Sequence, residues 1–466
     1  MTTPAAPPVD RFDRRLLAPM ILGSILNPIN SSIIAVALVP IAVAFGAPAA
    51  ETAWLVSALY VATAIGQPLV GRLVDVFGPR RLFLAGTVLT GVAGVIGMLA
   101  PTVAVLVVAR VVLGFGTCSG YPASMVLIRR EAKRTGQQSP AGVLTALAIA
   151  TQTIAVVGPT LGGVLVDLGG WRATFAINVP LAIAGVLLGL LVLPKDEAVP
   201  DARRRFGRLD WAGVGLFAAT LVALLLFLMA PHLETLWVLG LAVVAAAGFA
   251  IRELRAADPF VDVRVFAGDR AILATYARSL LAATVSYGYL YGFTQWLEDG
   301  RGLTASATGL VLLSTFLVGI LVSVTTGRRP EVWPKLLVGG VVQVVVCAAL
   351  LLVTGASPVW ALVVIAAVLG VPQGMLNLAN QNALYFQADA NRVGASAGLL
   401  RTFMYLGAIV SSSASAGFFG RRADTGGLHE LALFMLGACV ILVVLVLGDR
   451  RLRAIGRPAA AAPSIS

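Results

Sequence analysis

Histidine and cysteine are nearly missing from this 466-residue chain, which has two of the first and three of the second. His232 and His429 leave little material for a catalytic set, and no Ser-His-Asp arrangement or phosphate-binding glycine loop stands out. An enzyme and an ATP-driven pump are thereby disfavoured, and no cofactor or metal is expected. Cys118, Cys347 and Cys439 lie inside apolar runs without metal-ligand spacing, which reads as buried thiols acting as small apolar groups. Charge is also scarce, at 12% of residues against the roughly 25% of soluble domains. The N-terminal MTTPAAPPVDRFDRR has no cleavable signal pattern, so the first apolar run is expected to stay in the mature protein.

What is abundant is apolar: 58% of residues are hydrophobic and the mean hydropathy is +0.92. The net charge is +12, but it recurs in short clusters between apolar runs, as in cytoplasmic membrane loops, and not as a nucleic-acid-binding surface. Fourteen runs are long enough to span a membrane: 16–45, 52–71, 82–100, 103–128, 141–167, 173–193, 211–230, 236–251, 271–297, 304–326, 336–354, 358–387, 395–420 and 428–448. With the N-terminus inside, twenty-seven of the 34 basic residues fall in inner segments, four in outer segments and three within spans. The positive-inside rule then puts both termini in the cytoplasm. The longest polar insertions, Pro194–Asp210 and Arg252–Arg270, bracket spans seven and eight. The expected domains are a cytoplasmic N-terminus (1–15), a six-helix bundle (16–193), linkers with two extra helices at about 211–230 and 236–251 (194–270), a second six-helix bundle (271–448) and a cytoplasmic tail (449–466).

Four stretches then carry a resemblance. GRLVDVFGPRRLF after span two sets Gly71, Arg72, Asp75, Gly78, Arg80 and Arg81 at the cytoplasmic face, where the glycines permit turns and close approach and Asp75 can pair or cap. ARVVLGFGTCSGYP, VVGPTLGGVL and GGWRATFAINVPLAI follow in spans four, five and six. In this order they resemble the motifs of the major facilitator superfamily, and with fourteen spans they resemble its fourteen-helix drug:proton antiporter group. The resemblance implies two six-helix bundles about a pseudo-two-fold axis, with substrate bound between them near the midplane and exposed alternately by rocking. It also implies a small-molecule substrate, protons as coupling partner and a bacterial cytoplasmic membrane location. The loop GRRPEVWPKL after span ten is a weak repeat of the first loop without its acid. Nothing suggests more than a monomer in contact with lipid.

Within spans, buried charge marks function. Arg110 matches the family's fourth-span arginine, which implies a role in linking proton to substrate. Arg278 and Arg401 are the other basic residues inside spans. In VVGPTLGGVL, Pro159 bends the helix and Gly158, Gly162 and Gly163 offer a flat face for a partner, so the stretch reads as a seal. Candidate cavity residues are Tyr60 and Gln67 of span two, Gln152 of span five, Tyr287 and Tyr289 of span nine, and Gln373, Asn377, Asn380 and Gln381 of span twelve. The outer end of span nine, with Tyr291, reads as an aromatic belt.

The acids are awkward for proton coupling. Glu51, Asp167, Glu298, Asp299 and Glu430 fall at outer ends, Asp75 and Asp389 at inner ends, and none at mid-depth. In span one, LNPINSS holds Asn27 where the antiporters carry an acid; an amide keeps the hydrogen bonding and loses the titration. Asn27, Asn30 and Ser31 read as a polar, bent segment facing the cavity, because Pro28 frees backbone groups for local bonds. The leading expectation is a secondary transporter exporting small amphipathic or hydrophobic compounds by proton exchange. The alternatives are an uncoupled facilitator or lipid or metabolite exporter, and a non-transporting sensor or scaffold.

Overall fold

The computed structural model describes residues 13–135, 141–196, 206–207, 209–230, 232–256, 259–261, 263–264, 270–327, 331–387, 393–453 and 455. Several side chains in 129–156 and 385–397, Gln152 among them, lie outside that description. So do the segment 1–12, Arg328, Arg329, Asp389 and the tail from 456.

Every regular element among the described residues is helical, and each of the fourteen apolar runs falls on helix. The first half holds α1 (Leu17–Ile33), α2 (Leu38–Phe45), α3 (Ala49–Phe77), α4 (Pro79–Met98), α5 (Val103–Thr117), α6 (Gly120–Thr135), α7 (Ala141–Ala176) and α8 (Asn178–Val192). The insert holds α9 (Trp211–Met229) and α10 (Leu236–Arg255). The second half holds α11 (Arg270–Tyr287), α12 (Ala305–Gly327), α13 (Trp333–Leu350), α14 (Val359–Gln387), α15 (Val393–Phe419) and α16 (Thr425–Gly448). Among the described residues, eleven helices are long and apolar enough to cross a membrane, or twelve if the bent pair Val157–Ala176 and Asn178–Val192 is one span. Between spans five and six the break comes at Gly170, whose φ of +67° a side chain would oppose. Span nine continues past α11 as two π-helical stretches, Gly288–Phe293 and Trp296–Gly300.

Glycine brings the first-half helices together, as expected where lipid offers no hydrophobic drive for association. A side chain on Gly120 would lie 2.1 Å from the Gly23 carbonyl oxygen, and one on Gly116 would lie 2.8 Å from Thr90. The span-four motif is thus read in packing, against α1 and α4. In the second half Gly370 and Gly374 do the same for α14 on α12. The two halves meet through α3 on α15 and α7 on α12, pairs that a pseudo-two-fold axis would exchange. The insert α9–α10 lies against α3 and α15, and its remaining surface is apolar and exposed.

The corner of the first half where α3 turns into α4 is held by a residue that the sequence left in a linker. Asp196 accepts backbone N–H bonds from Arg80 (3.2 Å) and Arg81 (2.9 Å), and Arg130 lies 3.7 Å from it. A carboxylate at the start of α4 complements the helix dipole and its orphan N–H groups. Gly78 makes room for it: φ is +91°, and a side chain there would meet the Asp196 carboxyl at 2.3 Å. Asp196→Ala should therefore cost about 0.5–2 kcal/mol, the usual worth of such a cap, read as a lower unfolding temperature in detergent. An unchanged transition would refute the clamp. Nearby, Glu131 takes Arg134 and the Asp13 N–H. The Arg134 hydrogen bonds hold its carboxyl below the ordinary range. That support is present above the ordinary carboxylate pKa and is lost as pH falls through the lowered value.

Candidate functional site

Where the halves meet, five of the chain's eight tyrosines gather. Tyr60 of α3 is buried, with its hydroxyl 2.8 Å from that of Tyr291. Its ring stacks on Tyr405 of α15 at 5.6 Å and meets Tyr287 edge-on at 5.1 Å. Tyr287 and Tyr291, four residues apart, stack at 5.9 Å. Tyr291 also donates to the Ser31 carbonyl of α1 (2.9 Å). One face of span nine therefore touches both α1 and α3 of the other half.

Toward the C-terminal end of α3, Gln67 donates to the Tyr405 hydroxyl (3.2 Å) and accepts from Arg401 (3.5 Å). The Arg401 guanidinium lies 4.2 Å over the ring of Tyr121, a cation–π contact between halves. Arg110 is 1% exposed. It donates to the carbonyls of Leu55 (2.8 Å) and Asn30 (3.2 Å), and one terminal nitrogen has no partner. Neither Arg110 nor Arg401 has a carboxylate partner among the described residues.

The polar stretch of α1 serves mainly its own half. Asn27 donates to Thr117 (3.1 Å) and Thr63 (3.4 Å). Asn30 and Asn178 exchange amide bonds at 2.7 and 2.9 Å, which gives the asparagine of GGWRATFAINVPLAI its task of tying α8 to α1. Ser31 and Ser32 bond carbonyls one turn back, and the helix tightens at Ile34–Val36. Paired amides lower the cost of polar groups in hydrocarbon.

At the end of the bundle opposite the Gly78 turn the halves are in close contact. Gly163 faces α12: a side chain there would lie 2.5 Å from the Ala305 carbonyl oxygen. Thr160 donates to Gly309 O (3.1 Å), Ser412 to Ala53 O (3.0 Å) and Ala50 N–H to Gly420 O (3.3 Å). Gly158 and Gly162 instead face Ser32 and the Ile33–Val36 turn within the first half. The motif VVGPTLGGVL thus has one face on each half, with buried Pro159 between them.

Other sequence candidates lie elsewhere. Arg278 pairs with Asp449 (3.0 Å) and Thr275 inside the second half. Tyr289 is buried in that half's core against Phe293. Asn380 is buried, Gln373 and Gln381 are half-buried, and Asn377 is exposed. Arg72 donates to the Pro259 carbonyl in the linker after α10. Asp75 is exposed in the last turn of α3, and Arg80 donates to the carbonyls at the end of α8. Arg81 is exposed apart from its backbone bond to Asp196. Gly71 lies inside α3 with open space around it, because the helix continues to Phe77.

Tyr291, Tyr405 and Tyr121 escaped the sequence reading. Span nine runs from Arg270 to Gly300, which at 1.5 Å per residue is about 45 Å, longer than a bilayer core of about 30 Å. Tyr291 is consequently deeper than a belt position. The four-residue steps from Tyr287 and from Arg401 were the available signals.

Comparison with known proteins agrees with this architecture. The profile of the Major Facilitator Superfamily matches residues 20–412. YwoD of Bacillus subtilis, an uncharacterized MFS-type transporter, is 34% identical across 91% of this chain and 94% of its own. The tetracenomycin C resistance and export protein of Streptomyces glaucescens is 30% identical over 65% of this chain and 55% of its own. The nucleoside transporter NupG superposes with a TM-score of 0.65, over 93% of this chain and 99% of that one, at 12% identity. The chain therefore belongs to the major facilitator superfamily and is one of its transporters.

Proposed function

We propose that this transporter exports small amphipathic or hydrophobic compounds across a bacterial cytoplasmic membrane by alternating access, in exchange for protons. In this reading it is a monomer of fourteen spans, arranged as six, two and six, with both termini inside. The observation that carries it is the tyrosine cluster, which joins α1, α3 and α6 of one half to span nine and α15 of the other. Aromatic faces with a few convergent polar groups suit an amphipathic ligand. Relatives named for multidrug resistance and for tetracenomycin C export support this substrate class. The contacts at the outer ends fit a state closed to the outside. Substrate entering from the inside would displace the Tyr60–Tyr291 bond and loosen that closure.

Glu298 is the residue proposed for proton exchange. It is 7% exposed, lies in the second π-helical stretch, and neither carboxyl oxygen has a partner among the described residues. Packed around it are the outer ends of α12 and α16. The neighbouring charges are Asp167 of α7 and Asp299, which itself binds Arg422. Arg301 turns to Ser357, His429 to Val353, and Glu430 is exposed. A proton on Glu298 removes the cost of burying an unpaired charge, so closing the outer side would require one.

The test is efflux from proteoliposomes under an imposed pH gradient. Export should follow the gradient, and Glu298→Gln should make the rate insensitive to outside pH. Wild-type export that ignores a collapsed gradient would overturn proton exchange. It would favour the facilitator reading, for which Asn27 in place of an acid is the supporting observation.

A further inference from the structure

All fifteen acids among the described residues lie at helix ends or in connections, and none enters the tyrosine cluster. The formal charges at the cluster are Arg110 and Arg401. Both use neutral partners: backbone carbonyls for Arg110, and an amide and an aromatic face for Arg401. The unpartnered Arg110 nitrogen is buried, and the same guanidinium binds Asn30 O, one residue before the Ser31 carbonyl that holds Tyr291. A guanidinium in a low-dielectric setting without a counter-charge attracts an anion and repels a cation.

We propose that the cluster is a site for aromatic ligands that are anionic or neutral with hydrogen-bond acceptors, and that it rejects organic cations. The rings of Tyr60, Tyr287 and Tyr405 supply flat apolar surface for stacking. The phenolic hydroxyls and Gln67 supply donors once the Tyr60–Tyr291 and Gln67–Tyr405 bonds open. The ligand's acceptor or negative charge meets the free Arg110 donor, and a charged hydrogen bond of this kind is stronger than a neutral one. Tyrosine faces alone would favour cations. The two guanidiniums oppose that preference, and no carboxylate among the described residues pairs with them. Asn27 sets the sign of the site. It lies one helical turn from Ser31, whose carbonyl holds Tyr291. A carboxylate there would put an acid on the helix whose Asn30 carbonyl binds Arg110 and whose Ser31 carbonyl holds Tyr291.

The inference rests on the transport role proposed above, but it is tested by binding. Three probes share one ring system: naphthalene-2-carboxylate, naphthalene-2-carboxamide and 2-naphthyltrimethylammonium. Equilibrium dialysis against the purified full-length protein should rank carboxylate and amide at least about tenfold tighter than the ammonium. Asn27→Asp should shrink that gap to about threefold or less, and Arg401→Gln should weaken the carboxylate more than the amide. A wild-type preference for the ammonium, or no binding of any probe, overturns the inference, and neither result depends on a variant folding. The expected ranking without counterflow of any bound probe in proteoliposomes would leave the charge preference standing and defeat the transport reading.

Discussion

Arg110→Ala should abolish export, with a fall of about a hundredfold or more, while the protein still reaches the membrane in normal amount. The side chain makes two charged hydrogen bonds, to Leu55 O in α3 and Asn30 O in α1. Such bonds contribute about 1.5–3 kcal/mol each. Two of them exceed the roughly 2.7 kcal/mol that separates a hundredfold change in rate. Both carbonyls belong to helices that carry the cluster, so the loss falls on the positions of Ser31 and Tyr60. Arg110→Lys separates charge from geometry. It keeps the cation but cannot reach two carbonyls in fixed directions, and should retain a measurable fraction of export. Normal export by the alanine variant would dismiss Arg110 from the machinery. Loss of both export and membrane insertion would make it a packing residue only.

Gly163→Leu should disable the outer closure. Its first side-chain carbon would already lie 2.5 Å from a backbone oxygen of α12, where nothing flexible can yield. Overpacking of this kind costs about 1–3 kcal/mol. A penalty of that size on one state shifts a two-state balance by about fivefold to over a hundredfold. Export should drop at least tenfold. A cysteine placed at Thr160, which bonds Gly309 across the same contact, should become reactive to an impermeant thiol reagent added outside. Gly158→Leu is the comparison. Its side chain would strike Ser32 within the same half, so it should lower yield and stability without exposing position 160. Equal labelling of both variants and wild type would remove α7 and α12 from the gate.

The architecture was legible because long apolar runs and clustered arginines are one-dimensional signals. The apolar runs placed the helices, whereas the break at Gly170 shows only in the backbone. The close packing of VVGPTLGGVL was also legible, although only the structure divides it, with Gly163 facing one half and Gly158 and Gly162 the other. The site was legible in part. Tyr60, Gln67 and Tyr287 were found because polar groups are conspicuous in apolar helices. Tyr291 was misjudged because depth was counted along an ideal span, whereas span nine overruns the bilayer and changes to π-helix. Asn30 shows the opposite limit: its type suggests a cavity, and its partner Asn178, 148 residues away, decides otherwise. Nothing in sequence spacing announces such a pair. Asp196 was hidden for a related reason, since it looks like any linker acid until the start of α4 is placed beside it.

That placement bears on how the chain is made. The turn at Gly78 is synthesised 118 residues before the carboxylate that fastens it. Until the sixth span has been threaded into the bilayer, the N–H groups of Arg80 and Arg81 must be satisfied by water or lipid headgroups. The turn between α3 and α4 therefore gains its cap only from the segment that follows α8. The latch of the first bundle is thus carried by the connection that leaves it, and cannot close until that connection has been made.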